Sequence, residues 1–208
     1  MTKYIKISDL IREQYPKEVI DELLGEVLEI TLSAKQDYPD FLNWFLEKQV
    51  PGVYGGNRDI ILAIKKDEII GVACVKNDDE KKICSLYVKP DSRRNKEGIL
   101  LVEKTFDVLG TTTPLITMPI SKVGDFLPMI HKYGWVLSNE IDDCYKENTT
   151  ELIFNDVMGP LSCDSLEAVL DKIYTKKKDK HIIYYKYLFL SQLSLFRSFI
   201  WWKSVNEK

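Results

Sequence analysis

The chain has 208 residues, 45% hydrophobic and 29% charged, which supports one globular domain with a sizeable core and excludes both a disordered chain and two full domains. A formal net charge of -3 supplies no global positive field, so nucleic acid is not an expected partner. With only two histidines, His131 and His181, a multi-histidine metal site is excluded.

Residues 4–8 alternate as a short strand. Ile20, Leu23, Leu24, Val27 and Leu28 then recur at helical spacing and predict an amphipathic helix. Pro39 opens a second apolar-periodic run with Phe41, Leu42, Trp44 and Phe45, which Pro51, Gly52, Gly55 and Gly56 are expected to end. From Ile60 onward, three short apolar runs separated by charged turns predict antiparallel strands over residues 60–66, 69–76 and 82–89. Helical period returns over residues 98–109, with Ile99, Val102, Phe106 and Leu109 inward and Gly110 as the C-terminal cap. A strand over 115–118, a short helix over 126–133 limited by Pro128, and strands over 135–137 and 152–154 complete the order. Cys74, Cys84, Cys144 and Cys163 are too far apart for a zinc spacing or a compact disulfide framework and read as buried thiols. The N-terminal residues lack a long apolar stretch, so a reducing, cytoplasmic setting is expected.

The stretch with most chemical content is residues 83–109: a strand, a proline-containing loop, a charged loop with one glycine, then a helix. A loop entering a helix aims backbone N–H groups and the positive end of the helix dipole at an anion. Arg93, Arg94 and Lys96 add positive charge at the same place, so the alternatives are a phosphate site and a solvated charged surface.

This stretch resembles the cofactor motif of the GNAT superfamily of N-acetyltransferases, in which a strand ending Leu-x-Val is followed by proline and then Arg/Gln-x-x-Gly-x-Gly/Ala at a helix start. Leu86, Val88 and Pro90 fill the first part, Arg93 matches the Arg/Gln position and Gly98 the final glycine, while Lys96 stands where the first glycine would be. The resemblance implies an α/β (α+β) fold with a mixed, mostly antiparallel central sheet flanked by helices. It also implies acetyl-CoA as cosubstrate, and transfer of the acetyl group to an amine of a small molecule or peptide. Leu86, Tyr87 and Val88 would then splay from the neighbouring strand and pair with the pantetheine arm, Tyr87 facing the opposite side of the strand from the other two. The N–H groups of Arg94, Asn95, Lys96, Glu97, Gly98 and Ile99, beside Arg93, would hold the pyrophosphate. The Val88 N–H would stabilise the carbonyl oxygen. Lys96 fits this role if its backbone angles remain negative; a positive φ would make the loop differ from the family's.

In relatives the base is a carboxylate and the usual acid a tyrosine in Asn-x-x-Ala-x-x-x-Tyr-x-x-x-Gly-Phe. The end of that pattern survives as residues 132–135, but counting back places Ile130 at the tyrosine, Phe126 at the alanine and Val123 at the asparagine. Tyr145 is therefore the candidate acid, with Tyr133 and the lone His131 as alternatives, and Glu140 the candidate base ahead of Asp142 and Asp143. An acidic acceptor wall implies a cationic amine. Two other readings are a catalytically impaired acyl-CoA-binding protein of the same fold and an enzyme that acetylates the amino acid on charged tRNA.

After Gly159 and Pro160 the composition changes, which divides the chain into an acetyltransferase-like domain, 1–158, and a helical extension, 159–208. The extension contains a lysine cluster and a strongly aromatic run in which Lys186 and Arg197 return to one helical face. The expectation is that the apolar face docks on the domain or on a second subunit as a homodimer, ahead of association with a membrane surface.

Overall fold

The computed structural model describes residues 1–156. The extension at 159–208, with its aromatic helix, Cys163 and the dimer or membrane contact expected of it, lies outside the described residues.

Seven strands form one sheet in the order β1-β2-β3-β4-β5-β7-β6. They are β1 (Lys3–Lys6), β2 (Arg58–Lys65), β3 (Glu68–Asn77), β4 (Lys81–Val88), β5 (Leu115–Pro119), β6 (Leu137–Asp142) and β7 (Thr150–Phe154). All neighbours pair antiparallel except β4 with β5, which run parallel. Apolar runs, buried on both faces in β2 and β3, and the charged turns between them make β2, β3 and β4 a meander. The β2–β3 turn consists of Lys66 and Asp67, both at positive φ (53° and 59°), as a two-residue loop in a twisted hairpin requires.

One sheet face is covered by α1 (Ile7–Arg12), α2 (Lys17–Thr31), α3 (Phe41–Trp44) and α4 (Val50–Tyr54). In α2, Ile20, Leu24, Val27 and Thr31 share the buried face, and the Thr31 hydroxyl donates to Val27 O at 2.7 Å, which satisfies it without breaking the apolar stripe. The other face carries α5 (Glu97–Leu109) and α6 (Val123–Tyr133), packed over Ile61, Ala63, Ala73, Val75, Ile83, Ile116, Met118, Leu152 and Phe154. Gly71 of β3 permits that layer to sit close: a Cβ there would lie 3.1 Å from Tyr87 O and 3.3 Å from Leu101 Cδ2. Trp135 is fully buried, and its Nε1 donates to Thr112 O at 2.9 Å.

Several boundaries differ from the sequence expectation. The first strand ends at Lys6, because Ile7 begins the short α1, whose start is held by Asp59 accepting from Ser8 N (3.1 Å) and Ser8 Oγ (2.5 Å). Pro51 and Gly52 do not end the second helical run. A π-helical turn over Phe45–Gln49 leads without interruption into α4, the Val50 N–H donating to Phe45 O; Pro51 sits in the first turn of α4, and the run ends at Tyr54. Helix α6 starts at Val123 and carries Pro128 in its interior; Pro128 is exposed, and the buried face of Val123, Leu127 and Ile130 holds the helix despite the lost bond. Trp135 lies before β6, which runs Leu137–Asp142 and includes Glu140 and Asp142. Cys74 is buried and its thiol pKa is pushed up by burial, but Cys144 is exposed in the β6–β7 loop, so the expectation of buried thiols fails there.

Candidate functional site

Strand β4 is held by β3 along its length but joined to β5 only at Lys82↔Leu115 and Ile83↔Ile116. Beyond those pairs the strands diverge, so residues 84–88 of β4 border an open seam in the sheet. Lys89 N donates across to Ile70 O at 2.8 Å. Successive N–H groups of a strand point to opposite edges, so the Val88 N–H points away from β3 and into the seam. The Val88 carbonyl shares that direction and accepts from Arg93 Nε at 2.9 Å. The Arg93 guanidinium also lies 6.0 Å over the Tyr87 ring, so both arms of this contact involve residues singled out from the sequence.

Past a short 3-10 turn over Pro90–Ser92, the loop reaches α5 through exposed Arg94, Asn95 and Lys96. Arg94 and Lys96 take positive φ, 64° and 63°. The condition of negative angles at Lys96 is therefore not met: the residue is left-handed, at a cost of about 1–2 kcal/mol for an L side chain, and by that condition the loop differs from the family's. Lys96 O accepts the first helical bond, from Leu100 N at 3.0 Å.

Glu97 is 7% exposed, and its carboxylate accepts from Thr2 Oγ1 (2.9 Å) and Tyr4 OH (3.0 Å), tying the start of α5 to β1. Burial and this carboxylate push the Tyr4 pKa up to about 12. Gly98 sits where an added Cβ would lie 3.7 Å from Met129 Cε and 3.8 Å from Val88 Cγ2, so α5, α6 and the end of β4 meet at this glycine. Leu86 and Ile99 are half-buried against the α5–α6 core. Tyr87 stands opposite Val72, whose side chain belongs to the α1–α4 core, which places Tyr87 on the other sheet face, as its alternation predicts.

The proposed acid and base are not brought together. Glu140 pairs with Leu152 and shares its sheet face, under α5 and α6. Tyr145 lines a cleft of about 220 Å³ on the opposite face with Leu115, Thr117, Ile141, Glu151 and Ile153. Tyr133 is occupied in packing, edge-on to Phe106 and donating to Glu103 Oε1 at 3.0 Å, and His131 is exposed on α6. Ile130, at the motif tyrosine position, is 1% exposed and belongs to the core.

The cleft contains a carboxylate that sequence reasoning missed. Glu151 of β7 is 1% exposed; its Oε2 lies 3.5 Å from Tyr38 OH, and its Oε1 has no hydrogen-bond partner among the described residues. Burial pushes the Glu151 pKa up to about 7, with the Asp37 charge adding to it and the Tyr38 bond and Lys82 charge opposing. Tyr38 is edge-on to Tyr145, ring centroids 5.2 Å apart, so the three side chains form one group. Glu151 stands opposite Pro119 at the far end of β5, the end at which β5 has left β4. The available signal was phase: in Thr150–Phe154, Leu152 and Phe154 face the core, while Glu151 shares the other face with Ile153.

Among the described residues no helix is long and apolar enough to cross a membrane, and no group of three or more His, Cys, Asp or Glu could hold a metal ion. No family model matches the chain, and no curated protein matches it. Among solved structures it is similar to the ribosomal-protein-S18-alanine N-acetyltransferase of Escherichia coli, at 15% identity and a TM-score of 0.53, over 74% of this chain and 92% of that one. It is also similar to an aminoglycoside 6'-N-acetyltransferase complexed with coenzyme A, at 14% identity and a TM-score of 0.50, over 78% of this chain and 99% of that one. The sheet order, the diverging β4–β5 seam and these two likenesses agree that the chain has the fold of the GNAT N-acetyltransferases.

Proposed function

We propose that the protein is an acetyl-CoA-dependent N-acetyltransferase acting on an amine of a small molecule or peptide. The observation that carries this reading is the seam beside β4, where the Val88 N–H points into the gap between β4 and β5 at the foot of a 13-residue helix whose entry loop carries Arg93, Arg94 and Lys96. A long helix start with exposed cations suits a diphosphate, and a strand edge with free amide groups suits the amide-bearing arm of coenzyme A. The residues therefore fit the cosubstrate, provided that Arg93 releases the Val88 carbonyl, which that arm needs as an acceptor.

The roles follow from position. Arg94 and Lys96 hold the pyrophosphate through side-chain charge, and the backbone amides of Asn95 and of Glu97 to Ile99 at the α5 N-terminus complete the grip. Bound acetyl-CoA supplies an activated acetyl thioester. The Val88 N–H donates to the thioester carbonyl oxygen as negative charge develops on it. Glu97, with its carboxylate turned inward onto Thr2 and Tyr4, fixes the start of the helix and leaves its backbone N–H for the ligand.

A second reading, an acyl-CoA-binding protein without turnover, is favoured by one observation: the core residue Ile130 occupies the position of the motif's acidic tyrosine. Calorimetric titration with acetyl-CoA, paired with an assay of thiol release over a panel of amines, separates the two. The enzyme reading expects both binding and release. In Gly98→Trp, the indole fills the meeting point of α5, α6 and Val88 and should weaken acetyl-CoA binding at least about a hundredfold. Undiminished binding in that variant removes the loop from the site.

A further inference from the structure

We propose that the cleft between β5, β7 and the β6–β7 loop binds the ammonium group of a primary amine on a short apolar stem, with Glu151 Oε1 as its acceptor. The inference rests on the acyltransferase reading for its chemistry, and names the class of acceptor which that reading leaves open.

A buried carboxylate oxygen without a donor is costly, and proteins keep one where a ligand supplies the donor. A charged donor suits this oxygen, because no lysine or arginine among the described residues forms an ion pair with Glu151. Asp37 is engaged by Lys122 at 3.4 Å and Glu80 by Lys76 at 3.2 Å, which leaves Lys82 of β4 and Asp156 at the other end of the cleft, beside Cys144, Tyr38 and Tyr145. The walls between the two ends are apolar, from Leu115, Ile141 and Ile153. A volume of about 220 Å³ is below the roughly 300–1,000 Å³ of drug-sized sites, which limits the occupant to a small amine or the end of a longer chain.

Position agrees with this chemistry. Glu151 borders the end of β5 that has diverged from β4, and the Val88 N–H enters the seam from the strand across it. A group held at Oε1 is thereby on the acceptor side of the site. A carboxylate whose pKa lies near 7 can take the ammonium proton, which leaves a neutral carboxyl and a neutral, nucleophilic amine and conserves charge between the two. Tyr38 then acts as a positioning residue, fixing Oε2 while Oε1 is left for the ligand.

The test uses the full chain and no acetyl-CoA. n-Butylamine, its neutral isostere n-butanol, and Nα-acetyl-lysine N-methylamide are titrated calorimetrically into the wild type and Glu151→Gln, with thermal unfolding recorded for both proteins. The expected result is butylamine binding that weakens at least about tenfold in Glu151→Gln, and weakens in the wild type alone as the pH falls from about 8 to about 6. Butanol should bind no better to one protein than to the other. A lysine derivative that binds as well as butylamine identifies a peptide side chain as the source of the amine; preference for butylamine identifies a free small molecule. Equal affinity for butanol and butylamine, no butylamine binding, or wild-type affinity in a folded Glu151→Gln overturns the proposal. Because cosubstrate is absent, such a failure leaves acetyl-CoA binding to be judged by its own titration.

Discussion

Strand β5 has two unlike flanks. Toward β7 it is paired in continuous register at four positions, from Ile116↔Phe154 to Pro119↔Glu151, over a core that includes the fully buried Leu152 and Phe154. Toward β4 it is paired at two positions and then departs. The paired flank satisfies its backbone groups internally, so its only chemistry comes from a side chain, Glu151. The parted flank has unpaired strand backbone facing the gap, and it is these N–H and C=O groups that the proposed cosubstrate site uses. One strand thus separates a proposed site made of main chain from a proposed site made of a buried acid.

Truncation on each flank should break this contrast most directly. Leu152→Ala leaves a cavity under the paired flank and should destabilise by about 2–5 kcal/mol in denaturant unfolding, whereas Val88→Ala, half-buried on the parted flank, should cost about 1 kcal/mol or less. Equal losses would mean that the seam is packed as tightly as the core.

A pH series sharpens the role of the acid. The Glu151 pKa is raised in the folded state to about 7 from an ordinary value of 4.5, so folding is opposed as the unfolded chain ionises first. Stability attributable to this residue is highest below about pH 4.5, falls as the pH rises toward 7 and is level above it. Glu151→Gln removes that dependence, so its stability relative to the wild type should shift in its favour by about 3 kcal/mol between pH 4 and pH 8. Parallel wild-type and variant curves would show that Glu151 is solvated.

The smallest effect is expected at the loop. Glycine tolerates the left-handed conformation that Lys96 now holds, so Lys96→Gly should stabilise by about 0.5–1 kcal/mol in thermal unfolding, relief of strain outweighing the added freedom of the unfolded chain. A destabilised variant would show that the lysine side chain contributes contacts beyond its backbone angles.

How much of this was legible in the sequence depends on how local its causes are. The meander β2–β4 was readable because apolar runs and charged turns act within a few residues, and α5 because its helical period ends at Gly110 (φ 68°); its buried face, however, is Leu101, Val102, Thr105 and Leu109, with the expected Ile99 and Phe106 only half-buried. The helical run past Pro51 and the interior Pro128 were not, since there tertiary burial of Val53, Leu127 and Ile130 overrides local propensity. At the site, the loop from Arg93 to Gly98 was found by motif, but its two positive φ angles were not visible, because φ is set by how the loop meets α5. Glu151 was hidden because its burial and its bond to Tyr38, 113 residues earlier in the chain, arise only on folding. Glu140 was attractive as part of an acidic run, and register alone assigns it to the face away from Tyr145.

A sheet that parts internally has an exposed edge in its middle, and such edges invite strands of other molecules to add themselves. The Arg93 side chain occupies the Val88 carbonyl at that edge, and a charge placed on a strand margin is a known deterrent to intermolecular pairing. On the proposed reading, the guanidinium that yields to a ligand is also the charge that blunts this edge, which ties the two properties to one side chain.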